Sequence, residues 1–324
     1  VCHISRLDLY DAGIRVLSMV QNITLWYEST TSLPFHTTWI RIFIFLTFVQ
    51  SLAAIRSSMI LRATFLGTGT STGVPLIGCQ CRVCKSPDTR DKRLRSSVLV
   101  EILSGEKAEL SLLIDAGPDF RQQMLTYGIA SLNGILLTHE HRDHISGLDD
   151  VRAFNFLSSK PVPVYGEQRV LNALQKEFDY AFLDDNYSGL PQMALFPITC
   201  EPFMIQGVRV IPVRATHGRL PILGFRIGPL GYLTDASRIE DRELEKFSGV
   251  ELFVVSTVQR TPHKTHFSLS QAIDVVTRVS APKSLLTHLS HCLEPHRELA
   301  GTLPPGICPA YDGLVIELPF KGDV

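Results

Sequence analysis

The chain has almost no excess of charge of either sign: 31 basic against 32 acidic residues leave a net charge of −1 over 324 residues. That balance gives no global electrostatic pull toward nucleic acid or an anionic membrane. Long hydrophobic runs are missing too. Residues 42–55, apolar between Arg41 and Arg56, fall short of the ~20 residues that a bilayer-spanning helix needs. A signal-like segment, a weak anchor and a mistranslated leader all stay open for this run. Membrane contact is expected only if residues 42–55 act as an anchor. No internal repeat or low-complexity tract is visible.

Cysteine is scarce, and its placement is uneven. Of the seven, Cys79, Cys81 and Cys84 fall within six residues. Side chains so close in sequence make poor mutual disulfides, but their thiolates can converge on one soft cation. That favours a metal site in a reducing compartment, hence a cytoplasmic protein, with organellar targeting by the N-terminal segment left open. Cys200, Cys292 and Cys308 lack a partner pattern and read as inert.

What is present is a packed-core composition, 45% hydrophobic and 19% charged, ordinary for a globular domain. Met59 opens a strongly patterned segment. Residues 1–58 are therefore assigned to an N-terminal leader outside the chemistry, and 59–324 to one domain. Strands are expected at Ile60–Leu66, Ser97–Ile102, Leu110–Ile114, Gly134–Thr138, Gly207–Val213, Leu223–Ile227, Glu251–Val255, Ser284–Thr287 and Gly313–Leu318. Helices are expected at Phe120–Tyr127, Glu167–Tyr180, Glu240–Phe247 and Ser268–Val279, the last opened by a Ser268/Gln271 capping box. This order fits an α/β fold, and a four-layer αββα sandwich of two similar halves accommodates it. Asp184–Pro202, rich in Pro, Gly and polar residues, reads as a surface excursion.

The strongest chemical signal is Thr138-His139-Glu140-His141-Arg142-Asp143-His144, directly after the apolar run Gly134–Leu137. A strand ending in a tight loop points such side chains into one space, where imidazoles and a carboxylate suit zinc or a similar divalent ion. Any one of these residues could be a solvated loop residue; as a set they are hard to explain by packing. The stretch Gly67-Thr68-Gly69-Thr70-Ser71-Thr72-Gly73 lacks the Lys-Ser/Thr ending of a P-loop and only approximates a dinucleotide fingerprint, so both nucleotide readings are weak and glycines that allow a tight turn are the better account.

His139-x-His141-x-Asp143-His144 resembles the HxHxDH signature of the metallo-β-lactamase superfamily. The resemblance implies two divalent ions, zinc or manganese, one on His139 and His141 and the other on Asp143 and His144. It implies further ligands at His217, Asp235 (bridging) and His288. Taken alone, His217 would be an ordinary loop histidine and Asp235 a helix cap. It also implies that Asp115 supports the metal loop by orienting imidazoles.

The glycine-rich stretch with the cysteine triplet resembles the cyclic-phosphate phosphodiesterases of the carbon–phosphorus lyase pathway. That likeness implies a structural zinc on Cys79, Cys81, Cys84 and His291, and a general acid at His266, whose residue type titrates near neutrality. Asp143 joins His266 as a catalytic candidate. Arg152 is a candidate phosphate contact, and His263 reads as a solvated loop residue. Thr257-Val258-Gln259-Arg260 departs from the acidic residue that relatives often carry there.

The implied activity is hydrolysis of a small or cyclic phosphodiester. A transfer-RNA 3′-processing endonuclease, a pyrroloquinoline quinone biosynthesis relative and a non-enzymatic metal-binding scaffold stand as alternatives. A small phosphodiester is the expected partner, nucleic acid less so, and a homodimer is compatible with this reading.

Overall fold

In the computed structural model, residues 59–183 and 189–322 are described, so the expectations for residues 1–58 lie outside them. None of the described helices is long and apolar enough to cross a membrane.

Two mixed sheets face each other. The first runs in the order β15 (Val315–Pro319), β1 (Met59–Gly67), β2 (Ser97–Ser104), β3 (Lys107–Ile114), β4 (Gly134–Leu136), β5 (Val162–Gly166), β6 (Met193–Pro197). The second runs β11 (Arg238–Ile239), β8 (Val208–His217), β9 (Leu220–Ile227), β10 (Leu230–Leu233), β12 (Leu252–Ser256), β13 (Lys283–Thr287), β14 (Ile307–Pro309), with β7 (Phe203–Ile205) also on β8. In each sheet antiparallel hairpins give way to parallel pairs. β1, β2 and β3 are antiparallel, and β3 through β6 parallel. Likewise β8, β9 and β10 are antiparallel, and β10, β12, β13 and β14 parallel. The two halves expected from the sequence therefore share one pairing pattern.

Alternation along the strands sorts the core into layers. Leu61, Phe65, Val100, Leu112 and Ile114 of the first sheet meet Val210, Leu223, Phe225, Tyr232 and Val254 of the second. Their neighbours in sequence turn outward. Leu99, Leu113 and Ile135 pack under α1 (Phe120–Tyr127), α3 (Arg152–Ser158) and α4 (Gln168–Glu177), through Phe120, Phe154, Val170 and Leu174. Leu233, Phe253 and Leu286 pack under α5 (Asp241–Leu244), α6 (Leu269–Val279) and α7 (His296–Thr302). The short α2 (Arg142–Ile145) lies in the loop after β4. Strands covered on both faces read as continuous apolar runs, which is why the central ones were legible. Helices, sheet, sheet and helices in that order make the four-layer αββα sandwich, and each fully buried Leu or Phe contributes roughly 1.5–3 kcal/mol to it.

The Ser268/Gln271 capping box is present, with the Ser268 hydroxyl accepting from the Gln271 N–H. Two expectations change. Asp184–Pro202 is only in part an excursion, because Met193–Pro197 forms the last strand of the first sheet beside β5; residues 184–188 lie outside the described set. Val162–Gly166, interrupted by Pro163, is a strand that proline hid.

Candidate metal centre

The centre sits where parallel strands of both sheets end. Thr138 and the three histidines follow β4; Asp115 follows β3, Asp235 follows β10, and His288 follows β13. Asp115, Asp235 and His288 all adopt left-handed backbone, φ 62°, 57° and 55°. Such positions cost about 1–3 kcal/mol for a residue with a Cβ, a local strain that points their side chains across the strand ends. His217 closes β8 and pairs with Leu220 across a two-residue turn whose first residue is Gly218, φ 63°; glycine at that place suits a tight hairpin.

Asp115 is the hub beneath the metal loop. Fully buried, it accepts from the Thr138 N–H at 2.9 Å, the Thr138 hydroxyl at 2.8 Å and His144 Nδ1 at 2.7 Å. His139 Nδ1 in turn donates to the Thr138 hydroxyl at 2.9 Å. His217 Nδ1 donates to the Thr265 carbonyl at 2.6 Å. In all three rings Nδ1 is thereby engaged by an oxygen of the protein, which leaves Nε2 as the nitrogen offered to the centre. The loop can sit so low because residue 117 is glycine: a Cβ there would lie 2.0 Å from the Asp143 carbonyl oxygen.

The donors fall into sets. Nitrogen atoms of His139, His141 and His217 lie within 4.8 Å of one another, and so do the donors of Asp143, His144 and His288. Asp235 reaches both: it clusters with His139 and His144, and its oxygens lie 3.2 Å from His144 Nε2 and 3.1 Å from His288 Nε2. Those two Nε2 atoms are buried and make no hydrogen bond. Orphaned imidazole nitrogens facing carboxylates are what a cation-binding site leaves when its ligands are counted alone, so the residues fit a pair of divalent ions.

Burial and the carboxylate–imidazole contacts push the groups of the centre in different directions. Burial, helped by the charge on His144, holds His139 well below the usual imidazole value, and burial with His217 nearby lowers His141. Burial opposes ionisation of Asp143 and Asp235, but His144 outweighs it for the first and His288 with His144 for the second, so both carboxyls titrate below their ordinary range. Burial also works against a charge on His144, yet Asp115, Asp235 and Asp143 raise its value well above normal.

His266 is in the centre, half-buried, with Nδ1 3.4 Å from Asp235 Oδ1 and its ring 4.5 Å from His217 and 5.1 Å from His288. Burial, against the pull of Asp235 and with repulsion from His288 and His217, brings it down to about 3. His263 is exposed, its ring 5.1 Å from that of His266. Gln259, at the departure from the acidic pattern, donates to the Thr261 hydroxyl at 2.9 Å and braces the loop leading to His263 and His266. Arg152 is turned instead onto Asp149, with which it ion-pairs and whose carbonyl it meets at 3.1 Å. The roles of Thr138 and Thr265 were not read from sequence. A threonine just before His139 was the available signal for the first; the second is a backbone carbonyl, to which sequence is blind.

Cys79, Cys81, Cys84 and His291 also converge, their donor atoms within 4.8 Å of one another. His291 Nδ1 lies 3.4 Å from Cys79 Sγ and 3.6 Å from Cys81 Sγ. A tetrahedral zinc with ordinary bonds needs S···N separations of about 3.5 Å. The Cys84 N–H, followed by His291, lowers the Cys81 thiol to about 6, while burial raises Cys84 to about 11.

Residues 111–289 match the family model described as a β-lactamase superfamily domain. The chain is 42% identical over 264 residues to a Porphyromonas gingivalis protein named octanoyltransferase; the match takes in 81% of this chain but 52% of that protein, so the chain spans about half its length. It is 38% identical to a solved structure described as a new diphosphatase from the PhnP family, covering 81% of this chain and 99% of the other at TM-score 0.74. Zinc-bound PqqB from Methylobacterium extorquens shares the fold at 20% identity and TM-score 0.64, covering 79% of this chain and all of PqqB. With more than half of its length matched by the superfamily model and a 38% identical relative spanned almost end to end, this chain belongs to the β-lactamase superfamily and, within it, to the PhnP family.

Proposed function

We propose that the chain is a metal-dependent hydrolase of small or cyclic phosphodiesters. One observation carries the reading: seven donors, His139, His141, His217, Asp143, His144, His288 and Asp235, form two sets with a carboxylate reaching both. Divalent ions held there supply Lewis acidity, acidifying water and offsetting charge on phosphoryl oxygens. The chain's own residues do the rest. Asp115 keeps His139 and His144 in the ligating tautomer, and the strained backbone at Asp235 and His288 holds their donors in place before substrate arrives.

His266 stands beside the donors as the candidate proton carrier. Half-buried and neutral at pH 7, it starts with one N–H, so to protonate a leaving oxygen it must first take up the proton lost by the attacking water. The Cys79, Cys81, Cys84 and His291 set is proposed as a closed structural zinc site that pins the N-terminal loop to the segment after His288.

A second reading, hydrolysis of a phosphoanhydride, is favoured by the diphosphatase description of the 38% identical relative. The octanoyltransferase name belongs to a protein about twice the matched length and does not decide the substrate. The test is a panel on the full chain with zinc and manganese content measured: cyclic and linear phosphodiesters, a diphosphate, an acyl thioester and a precursor transfer RNA. Phosphodiester turnover that disappears on chelation and returns with added metal is expected. Turnover of the diphosphate alone favours the second reading, and turnover of the thioester alone overturns the substrate class.

A further inference from the structure

The first donor set is assembled from both sheets: His139 and His141 leave β4 of the first, whereas His217 ends β8 of the second. Holding the two margins together at this place are a backbone bond, the Leu223 N–H to the Thr138 carbonyl at 3.0 Å, and a run of alternating charges. Arg169, second residue of α4, ion-pairs with Glu140, the residue between the two histidines. Its other arm donates to the carbonyl of Pro221 in β9 at 2.5 Å, and Pro221 pairs with Thr216, which precedes His217. Arg169 also lies 3.6 Å from Glu167, which grips Arg214 through both guanidinium nitrogens at 2.7 and 2.5 Å. Arg214 sits in β8, three residues before His217. Glu140, Arg169, Glu167 and Arg214 thus reach from the metal loop to the strand that carries its third histidine.

Ion pairs this close to solvent contribute only about 0–1 kcal/mol to stability, and the sheets are already joined by a large apolar core. Geometry is what such a chain controls: the guanidinium fork sets distance and direction at once. The second donor set is held by different means, His144 by Asp115 and His288 by its own strand end. We propose that Arg169, through Glu140 and Pro221, is a positioning residue that holds His217 against His139 and His141. It tunes the metal affinity of that set and not of Asp143, His144 and His288. The proposal rests on the two-metal reading above.

The experiment titrates metal-free full-length protein with cobalt(II) against a chelating indicator. Thiolate absorption separates the cysteine site from the His/Asp sites, and His217→Ala identifies which of the latter two is the first set. If the parent protein takes up fewer than two ions at the His/Asp centre, the two-metal reading itself fails. Given two, Arg169→Ala is expected to weaken the first set about 10–100-fold and leave the second within about twofold. Glu140→Gln should do the same, and the double variant should lose little more than either alone, as partners in one contact do. Arg169→Lys keeps the charge without the fork and should recover only part of the affinity. Equal weakening of both sets, or no change in either, overturns the positioning role.

Discussion

Asp115 follows β3 in the first half of the molecule and Asp235 follows β10 in the second. Both are buried, both adopt left-handed backbone, and both precede an alanine whose carbonyl accepts from the loop after the next strand: Gly147 N–H to Ala116 at 2.9 Å, Phe267 N–H to Ala236 at 2.7 Å. Their carboxylates nevertheless face different surroundings. Three donors occupy Asp115, and burial, against the pull of His144, raises its pKa. Asp235 accepts one hydroxyl, from Thr234 at 2.8 Å, and otherwise faces imidazole nitrogens, so His288 and His144 overcome burial and lower it. The backbone site is repeated; the neighbouring loop decides whether its carboxylate is filled by donors or left facing imidazole nitrogens. After β4 the loop delivers histidines at once, whereas after β12 the first imidazole in the centre is His266.

That contrast can be broken at several points. Asp235→Ala removes a donor shared by both sets, and turnover should fall roughly 10³–10⁵-fold together with bound metal, read by metal analysis. Retention of both ions would put Asp235 in Asp115's class. His266→Ala should lower turnover by about 10²–10⁴-fold while metal content stays at the parent level; loss of metal would make His266 a ligand. Asp115→Asn keeps the shape but cannot accept from all three donors, and metal affinity should drop about 10–100-fold, with activity restored by excess metal. Failure of that rescue would show that Asp115 does more than orient rings.

Two smaller effects probe the frame around the carboxylates. Gly117→Ala forces a methyl into the Asp143 carbonyl, and a loss of roughly 1–3 kcal/mol is expected from the denaturant midpoint. Ser268→Ala removes a cap that α6 has and its counterpart α3 lacks, at about 1 kcal/mol. If the second costs more than the first, the loop after β4 has room that its packing does not suggest.

Much of the fold could be read from the chain. Central strands such as β4 and β12 carry uninterrupted apolar runs, and α1 and α6 have clear ends. What escaped were elements with weak local pattern: β5 with Pro163, the margins β6 and β14 ending in proline, and α3 and α7, which are short. Among the site residues, the loop after β4 is legible because its candidate donors are neighbours in sequence. His217, Asp235 and His288, tens of residues apart, could be named only through family likeness.

By itself the sequence determined which atoms were available: the HxHxDH loop, the cysteine triplet, and the strand patterns that place them at strand ends. Tertiary structure alone decided which groups those atoms face. Whether an aspartate is filled by hydrogen-bond donors or left facing imidazoles depends on which groups reach it, which nitrogen of His144 or His217 is free depends on a carboxylate or a carbonyl from another loop, and the proposed join between His217 and His139 runs through Arg169. Hydrogen bonds and charge act over a few ångströms of space, and the chain reaches those distances only after its two sheets have closed on each other.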